Sequence, residues 1–215
     1  MTPRGRPRGG GRGPGRPVGA DAAQTRERIV RAAYEVINEH GYAATTFQEV
    51  AKRSGLSRPT LNYYFATRED LYGALLKQAH DVVTRCIDVA KQHEGTLDQL
   101  RAYIDAVVAV WDRDRAVVGF LVNARLEACR HPGLPAATVA ATRGFLDEVV
   151  TEAIARRELP PHTEPAALAE LLHAMLWGIG AYTGWQRRAV DLPGIAKQLH
   201  KVIGSGLLPD AECEV

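Results

Sequence analysis

Apolar residues recur along this chain at intervals of three to four positions, the spacing of helices rather than of strands. In residues 21–39, Ile29, Ala32, Ala33, Val36 and Ile37 fall on one helical face, and Gly41 follows as a C-terminal cap. Two short helical patterns occupy residues 46–65. Val50 and Ala51 form the inner face of the first, Gly55 supplies the turn, and Leu56, Leu61 and Phe65 close the core from the second. Thr46 with Glu49 reads as a capping box, Ser57 caps the second helix, and Pro59 is tolerated in its first turn. Thr67 with Asp70 opens a long helix reaching about residue 93, where Gly95 stops it. Further helices are predicted over 96–111, 116–130, 136–157, 163–188 and 193–203, separated by Gly and Pro punctuation. No alternating run or Asn-Gly hairpin interrupts them, so the fold class is all-α.

The pattern divides the chain into a basic arm over 1–20, a three-helix helix-turn-helix domain over 21–66, and a larger helical domain over 67–215. What the second short helix leaves outside is Ser57, Arg58, Thr60, Asn62, Tyr63 and Tyr64, a run of hydrogen-bond donors with aromatic bodies. A plain helical hairpin would not need matched caps, a turn glycine and a donor-rich outer face together. The stretch therefore reads as a DNA-recognition helix over about 57–64.

Residues 46–71 also resemble the TetR family of bacterial transcriptional regulators. The resemblance is carried by Thr46, the Val50 and Ala51 pair, Gly55, Ser57, Thr60, Leu61, Phe65 and the run Arg68, Glu69, Asp70, Leu71. It extends over about residues 24–76, and beyond that only length and helical character match. It implies a regulator whose second domain binds an effector and joins two subunits through a four-helix bundle. Two positions depart from the family pattern. Pro59 stands where the family commonly has Gly, and Asn62 where it commonly has a phosphate-binding Tyr. Pro59 removes an amide, whereas Asn62 is short enough to read an adenine edge, leaving Tyr63 to take the phosphate. The candidate DNA-binding set is Thr46, Ser57, Arg58, Pro59, Thr60, Asn62, Tyr63, Tyr64 and Arg68, with Arg4, Arg6 and Arg8 of the arm.

The first 17 residues hold five Arg, six Gly, four Pro and no acid. Such a segment buries too little apolar surface to offset its ordering entropy. Pro3, Arg4, Gly5, Arg6 and Pro7 look like the core of an AT-hook, an extended arm suited to a narrow A·T minor groove. A generic basic tail holding phosphates is the equal alternative. Residues 1–66 carry eleven basic against five acidic side chains, and the rest sixteen against twenty. The net +2 thus hides a basic end and an acidic end, the division expected if only the N-terminal part faces phosphate.

The helix over 163–188 is apolar on more than one face. Leu172, Leu176 and Ile179, with Ile195, Leu199 and Val202 of the last helix, are the candidate dimer interface. A two-fold pair of recognition helices implies a near-palindromic double-stranded operator. The candidate effector cavity is assigned to Tyr103, Trp111, Phe120, Arg125, Phe145, Met175, Trp177 and Tyr182, with a hydrophobic or amphipathic small molecule expected. Asn123, Glu127 and His173 are further polar groups within otherwise apolar helices.

Seven scattered histidines make no metal-ligand spacing, and no nucleophile elbow or phosphate loop is present, so neither catalysis nor a cofactor or metal is expected. A nucleoid-architectural protein is the remaining alternative. No apolar run reaches bilayer length, so no membrane partner is expected. Cys86, Cys129 and Cys213 are too dispersed for zinc and odd in number, for which a reducing cytoplasm is the simplest setting.

Overall fold

The structure is a computed structural model that describes residues 18–130, 137–160, 162–185 and 190–205. The arm residues Arg4, Arg6 and Arg8 lie outside the described residues, as does Cys213. Among the described residues every regular element is an α-helix: α1 (Val18–Ala44), α2 (Phe47–Ser54), α3 (Arg58–Tyr64), α4 (Arg68–Ala90), α5 (Thr96–Arg113), α6 (Arg115–Arg130), α7 (Ala137–Ala155), α8 (Pro165–Trp185) and α9 (Leu192–Ser205).

The stops and starts follow local chemistry. Gly41, at φ 78° and ψ 168°, kinks α1, and Thr45 Oγ1 then donates to its carbonyl at 2.7 Å. Thr46 Oγ1 accepts the Glu49 amide at 3.2 Å, which starts α2. Gly55 ends it in the left-handed region, where its amide and that of Leu56 cap the carbonyls of Lys52 and Ala51. At α4 the capping box closes in both directions, because the Asp70 amide reaches Thr67 Oγ1 and the Thr67 amide reaches Asp70 Oδ2, each at 3.0 Å.

One hydrophobic cluster fills the N-terminal part and runs on into α4 and α6. It joins Ile29, Tyr34, Val36, Val50, Leu61 and Phe65 to Leu71, Tyr72, Leu75 and to Phe120 of α6. Tyr34 and Tyr72 both meet the Phe120 ring edge-on, with centroids 4.8 Å and 5.6 Å away. The Tyr34 hydroxyl donates to the Leu75 carbonyl at 2.9 Å. Burial pushes the Tyr34 and Tyr72 phenols well above their ordinary pKa. A polar joint stands beside this ring cluster. Asn38 of α1 donates to the Ala116 carbonyl at 2.8 Å and accepts from Asn123 at 2.9 Å, so α6 is bonded to α1 at both points.

A second cluster packs α4, α5, α7 and α8 through Val83, Cys86, Leu100, Tyr103, Phe145, Leu146 and Val150. Helix α9 closes over α5, with Ile104, Ala196 and Leu199 at the seam. Among the described residues no helix is long and apolar enough to cross a membrane.

Candidate nucleic-acid interface and ligand cavity

Helix α3 is only two turns long, and its two sides have opposite environments. Leu61 is completely buried against α1 and α2, whereas Tyr63 on the other side is 82% exposed. Ser57 caps the helix by accepting the Thr60 amide at 3.2 Å, and its hydroxyl also meets the Thr60 hydroxyl at 2.7 Å. Arg58, Pro59 and Asn62 are exposed, Thr60 and Tyr64 partly so. The Tyr64 ring packs edge-on to Tyr63 at 5.3 Å and touches the core, which holds the exposed ring in place. Arg58 forms no ion pair among the described residues, so its charge faces outward unneutralised.

Neighbouring basic groups are differently employed. Arg53 grips both Glu39 oxygens at 2.7 Å and 2.8 Å, and that guanidinium holds the Glu39 carboxyl below its usual range. Arg28 donates to the Ser54 carbonyl at 2.8 Å and so braces the end of α2. Arg68, placed among the expected DNA contacts, donates to the Ala43 carbonyl at 3.1 Å and stacks over the Tyr42 ring at 4.5 Å. Those bonds tie it to the end of α1. Thr46 is exposed but has its hydroxyl occupied as the α2 cap.

The larger helical part forms a half-open cavity of about 160 Å³ between α4, α5, α6, α7, α8 and α9. Of the eight residues expected there from sequence, Tyr103, Arg125 and Trp177 line it. The other five lie outside its lining. Phe120 is fully buried at the joint with α1 and α4, and Trp111 packs with Val118 and Leu192 beside the cavity. Phe145 packs against Tyr103 with tilted rings, their centroids 5.1 Å apart. Met175 lines a separate void of about 10 Å³, and Tyr182 points outward, 55% exposed. Large rings serve here as core filler, and the walls are mostly branched aliphatics: Val107, Val118, Leu121, Val122, Ile179 and Ile195. These give no signal in the sequence, because Val, Leu and Ile at helical spacing are indistinguishable from any other core face.

One end of the cavity is polar. Arg125 of α6 and His173 of α8 approach to 3.4 Å between Nη1 and Nε2, and the guanidinium lies over the Trp177 ring at 5.3 Å from its centroid. Tyr103 and Thr142 meet through their hydroxyls at 3.2 Å, and burial pushes the Tyr103 phenol up to about 12. Burial and the adjacent Arg125 charge hold His173 below the usual imidazole range. Asn123, by contrast, turns away from the cavity to Asn38.

In the single chain the expected dimer residues face largely inward. Leu176, Ile179, Ile195 and Leu199 face the cavity, Leu172 packs against the second cluster, and Val202 is half-buried. The face that α8 leaves uncovered in the single chain includes Leu171, Ala174, Gly178 and Tyr182, with Leu171 56% exposed. Among the described residues no group of His, Cys, Asp and Glu is placed to hold a metal ion. Burial pushes the Cys86 thiol up, which makes it a poor nucleophile, while Cys129 is exposed and free.

Residues 29–75 match the family described as Bacterial regulatory proteins, tetR family. The chain is 32% identical over 82 residues to the HTH-type transcriptional regulator BetI of Stenotrophomonas maltophilia (strain R551-3), a match covering 37% of this chain and 42% of BetI. It is 27% identical over 168 residues to the HTH-type transcriptional repressor ComR of Escherichia coli (strain K12), covering 72% of this chain and 77% of ComR. In fold it is similar to the MbdR regulator from Azoarcus sp. CIB, with a TM-score of 0.75 at 19% identity over 86% of this chain and 99% of that one.

Proposed function

We propose that this chain, which has the fold of the TetR-family transcriptional regulators, is a dimeric DNA-binding repressor that a hydrophobic or amphipathic small molecule releases from its operator. The observation that carries the reading is α3, whose buried side anchors it while Arg58, Asn62 and the 82% exposed Tyr63 face outward. Two such helices related by a dimer axis fit successive major-groove faces, about 34 to 36 Å apart, and so call for a near-palindromic operator. Asn62 reads a base edge, Arg58 and Tyr63 take phosphates, and Thr46, Ser57, Pro59, Thr60 and Tyr64 set the surface around them. Arg68 acts one step back, by fixing the end of α1 against α4. The protein is not an enzyme. Its free thiols at Cys86 and Cys129 suit a reducing cytoplasm.

Arg58→Ala and Tyr63→Ala are expected each to weaken operator binding by about 10-fold or more, because each removes a charged or hydroxyl contact to phosphate. Gel filtration of both variants should still give the wild-type dimer. Unchanged affinity in both would falsify α3 as the reading helix.

The division into a basic arm over 1–20, a DNA-binding head over 21–66 and an effector-binding body over 67–215 is part of this proposal. So is the AT-hook reading of the arm, which rests on the order of Pro, Arg and Gly at positions 3–7. Deleting residues 1–17 should lower the log–log salt slope of DNA binding by about 4 to 5 units if all five arginines displace counterions. A larger loss on operators flanked by A·T than by G·C supports the groove-binding arm. An equal loss leaves a basic tail.

Release works through α6. Its Val118, Leu121, Val122 and Arg125 form one wall of the cavity, while its Ala116 carbonyl, Phe120 and Asn123 hold α1. A ligand that fits the cavity best when α6 is displaced draws α1 with it and changes the separation of the two heads. Such coupling is ordinarily about 1–3 kcal/mol, or about 5- to 150-fold in operator affinity.

A further inference from the structure

The polar end of the cavity holds more donors than acceptors. Arg125 has five N–H donors and no acceptor, and among the described residues no carboxylate lies within ion-pair distance of it. Its nearest polar partner is the His173 ring nitrogen at 3.4 Å, a long and weak bond. The indole N–H of Trp177, a residue of the same wall, is buried with no acceptor at all. His173 itself is 6% exposed. For it to accept from Arg125 the ring must be neutral, with its proton on Nδ1. Arg125 is half-buried and only weakly partnered by His173 and the Trp177 ring, and the buried indole N–H has no acceptor, which is costly beside an otherwise apolar cavity. The group missing from this constellation is an anionic acceptor.

We infer that the cavity takes an amphipathic carboxylate with a single negative charge, its head group bonded by Arg125 and Trp177 next to His173 and its apolar body lying among Ile104, Val122 and Leu176. A carboxylate presents two oxygens in one plane, which suits the guanidinium fork and leaves a lone pair for the indole N–H. A neutral hydrocarbon leaves the indole N–H unsatisfied and offers Arg125 no acceptor, and an ammonium group meets Arg125 with like charge. The cavity of about 160 Å³ is roughly tenfold the space that a single water needs, so a small organic acid fits it. The assignment refines the effector reading and rests on that reading only for its regulatory consequence.

Binding should also take up a proton. The groups facing His173 are Arg125 from α6, Arg143 and Asp147 from α7, and Glu170 on its own helix. A bound carboxylate offsets the Arg125 charge that disfavours imidazolium. The His173 pKa then rises on binding, and affinity should increase as the pH is lowered from about 8 to about 6.

The test is calorimetric titration of the full-length protein with linear, branched and aromatic carboxylates of this size, decanoate and 4-phenylbutyrate among them, beside their methyl esters. Carboxylates are expected to bind at least about 10-fold more tightly than the matched esters. Arg125→Gln should lower carboxylate affinity about 10- to 100-fold and abolish the preference, while Arg125→Lys keeps part of it. Thermal melts check that the variants are folded, and Trp177→Phe, which loses only the donor, should weaken carboxylates several-fold. Equal affinity for acids and esters, no binding across the whole panel, or an Arg125→Gln variant that keeps the preference would overturn the assignment. A carboxylate that binds at Arg125 without weakening operator binding leaves the assignment standing and overturns ligand release for that compound. Esters that release the operator as well as acids do the reverse.

Discussion

Replacing Phe120 by alanine is expected to cost about 3–5 kcal/mol of stability, the range for removing a fully buried aromatic ring from a packed core. The ring is 0% exposed and is met edge-on by Tyr34 from α1 and Tyr72 from α4. Its loss removes transfer free energy, two aromatic contacts and the filler of the joint between α1, α4 and α6. Relaxation is restricted, because Tyr34 is pinned by its bond to the Leu75 carbonyl and Asn38 is pinned by Ala116. For a chain of this size the melting temperature should fall by roughly 6 to 20 °C. The comparison has to be made at equal protein concentration, since the proposed dimer would add to apparent stability. Urea unfolding should show a lower midpoint with an unchanged slope. A cost below about 1 kcal/mol would mean that this joint is not close-packed, and α6 could not then pass a cavity displacement to α1.

The contrast between what is legible in the sequence and what is not has a physical basis. The α2–turn–α3 unit is written in local chemistry: Thr46, Gly55, Ser57 and Thr67 each act on residues within four positions of themselves. Caps and positive-φ glycines therefore place helix ends well from sequence alone. The cavity is not local. Its walls come from six helices, and aliphatic side chains carry no mark that separates a wall from a core. Aromatic residues are the natural candidates for a pocket, but Phe120, Trp111 and Phe145 are so large that the fold uses them where helices meet. Arg125 and His173 stand out singly as polar groups in apolar helices. Their approach across 48 residues of sequence needs the packing of α6 on α8. The orientation of α8 is hidden for a related reason. Apolar residues surround this helix on nearly every side, so no polar stripe marks which side meets solvent, and Leu172, Leu176 and Ile179 look as outward as Leu171.

That uncovered face gives the second large effect. Leu171→Glu and Tyr182→Glu are each expected to convert the proposed dimer to monomers and to weaken operator binding by about 10²- to 10⁴-fold. Two linked heads gain that much over one from effective concentration alone. Leu171, Ala174, Gly178 and Tyr182 lie three or four residues apart and so form one stripe along α8. Ala174 and Gly178 in its middle let a second helix approach closely, with Leu171 and Tyr182 as large contacts at either end. In an interface with two-fold symmetry a substituted residue enters twice, so each variant brings two desolvated carboxylates into the same interface. The protomer itself should tolerate both changes, because Leu171 is 56% and Tyr182 55% exposed in the single chain. Sedimentation should report the loss of dimer, and far-UV circular dichroism should report retained helix. Glutamate at Leu176 is a useful contrast, since that residue faces the cavity. It should disturb folding or ligand binding before it disturbs association. If Leu171→Glu and Tyr182→Glu remain dimeric while Leu176→Glu dissociates, the subunits meet through the other side of α8, and the cavity opens onto their interface.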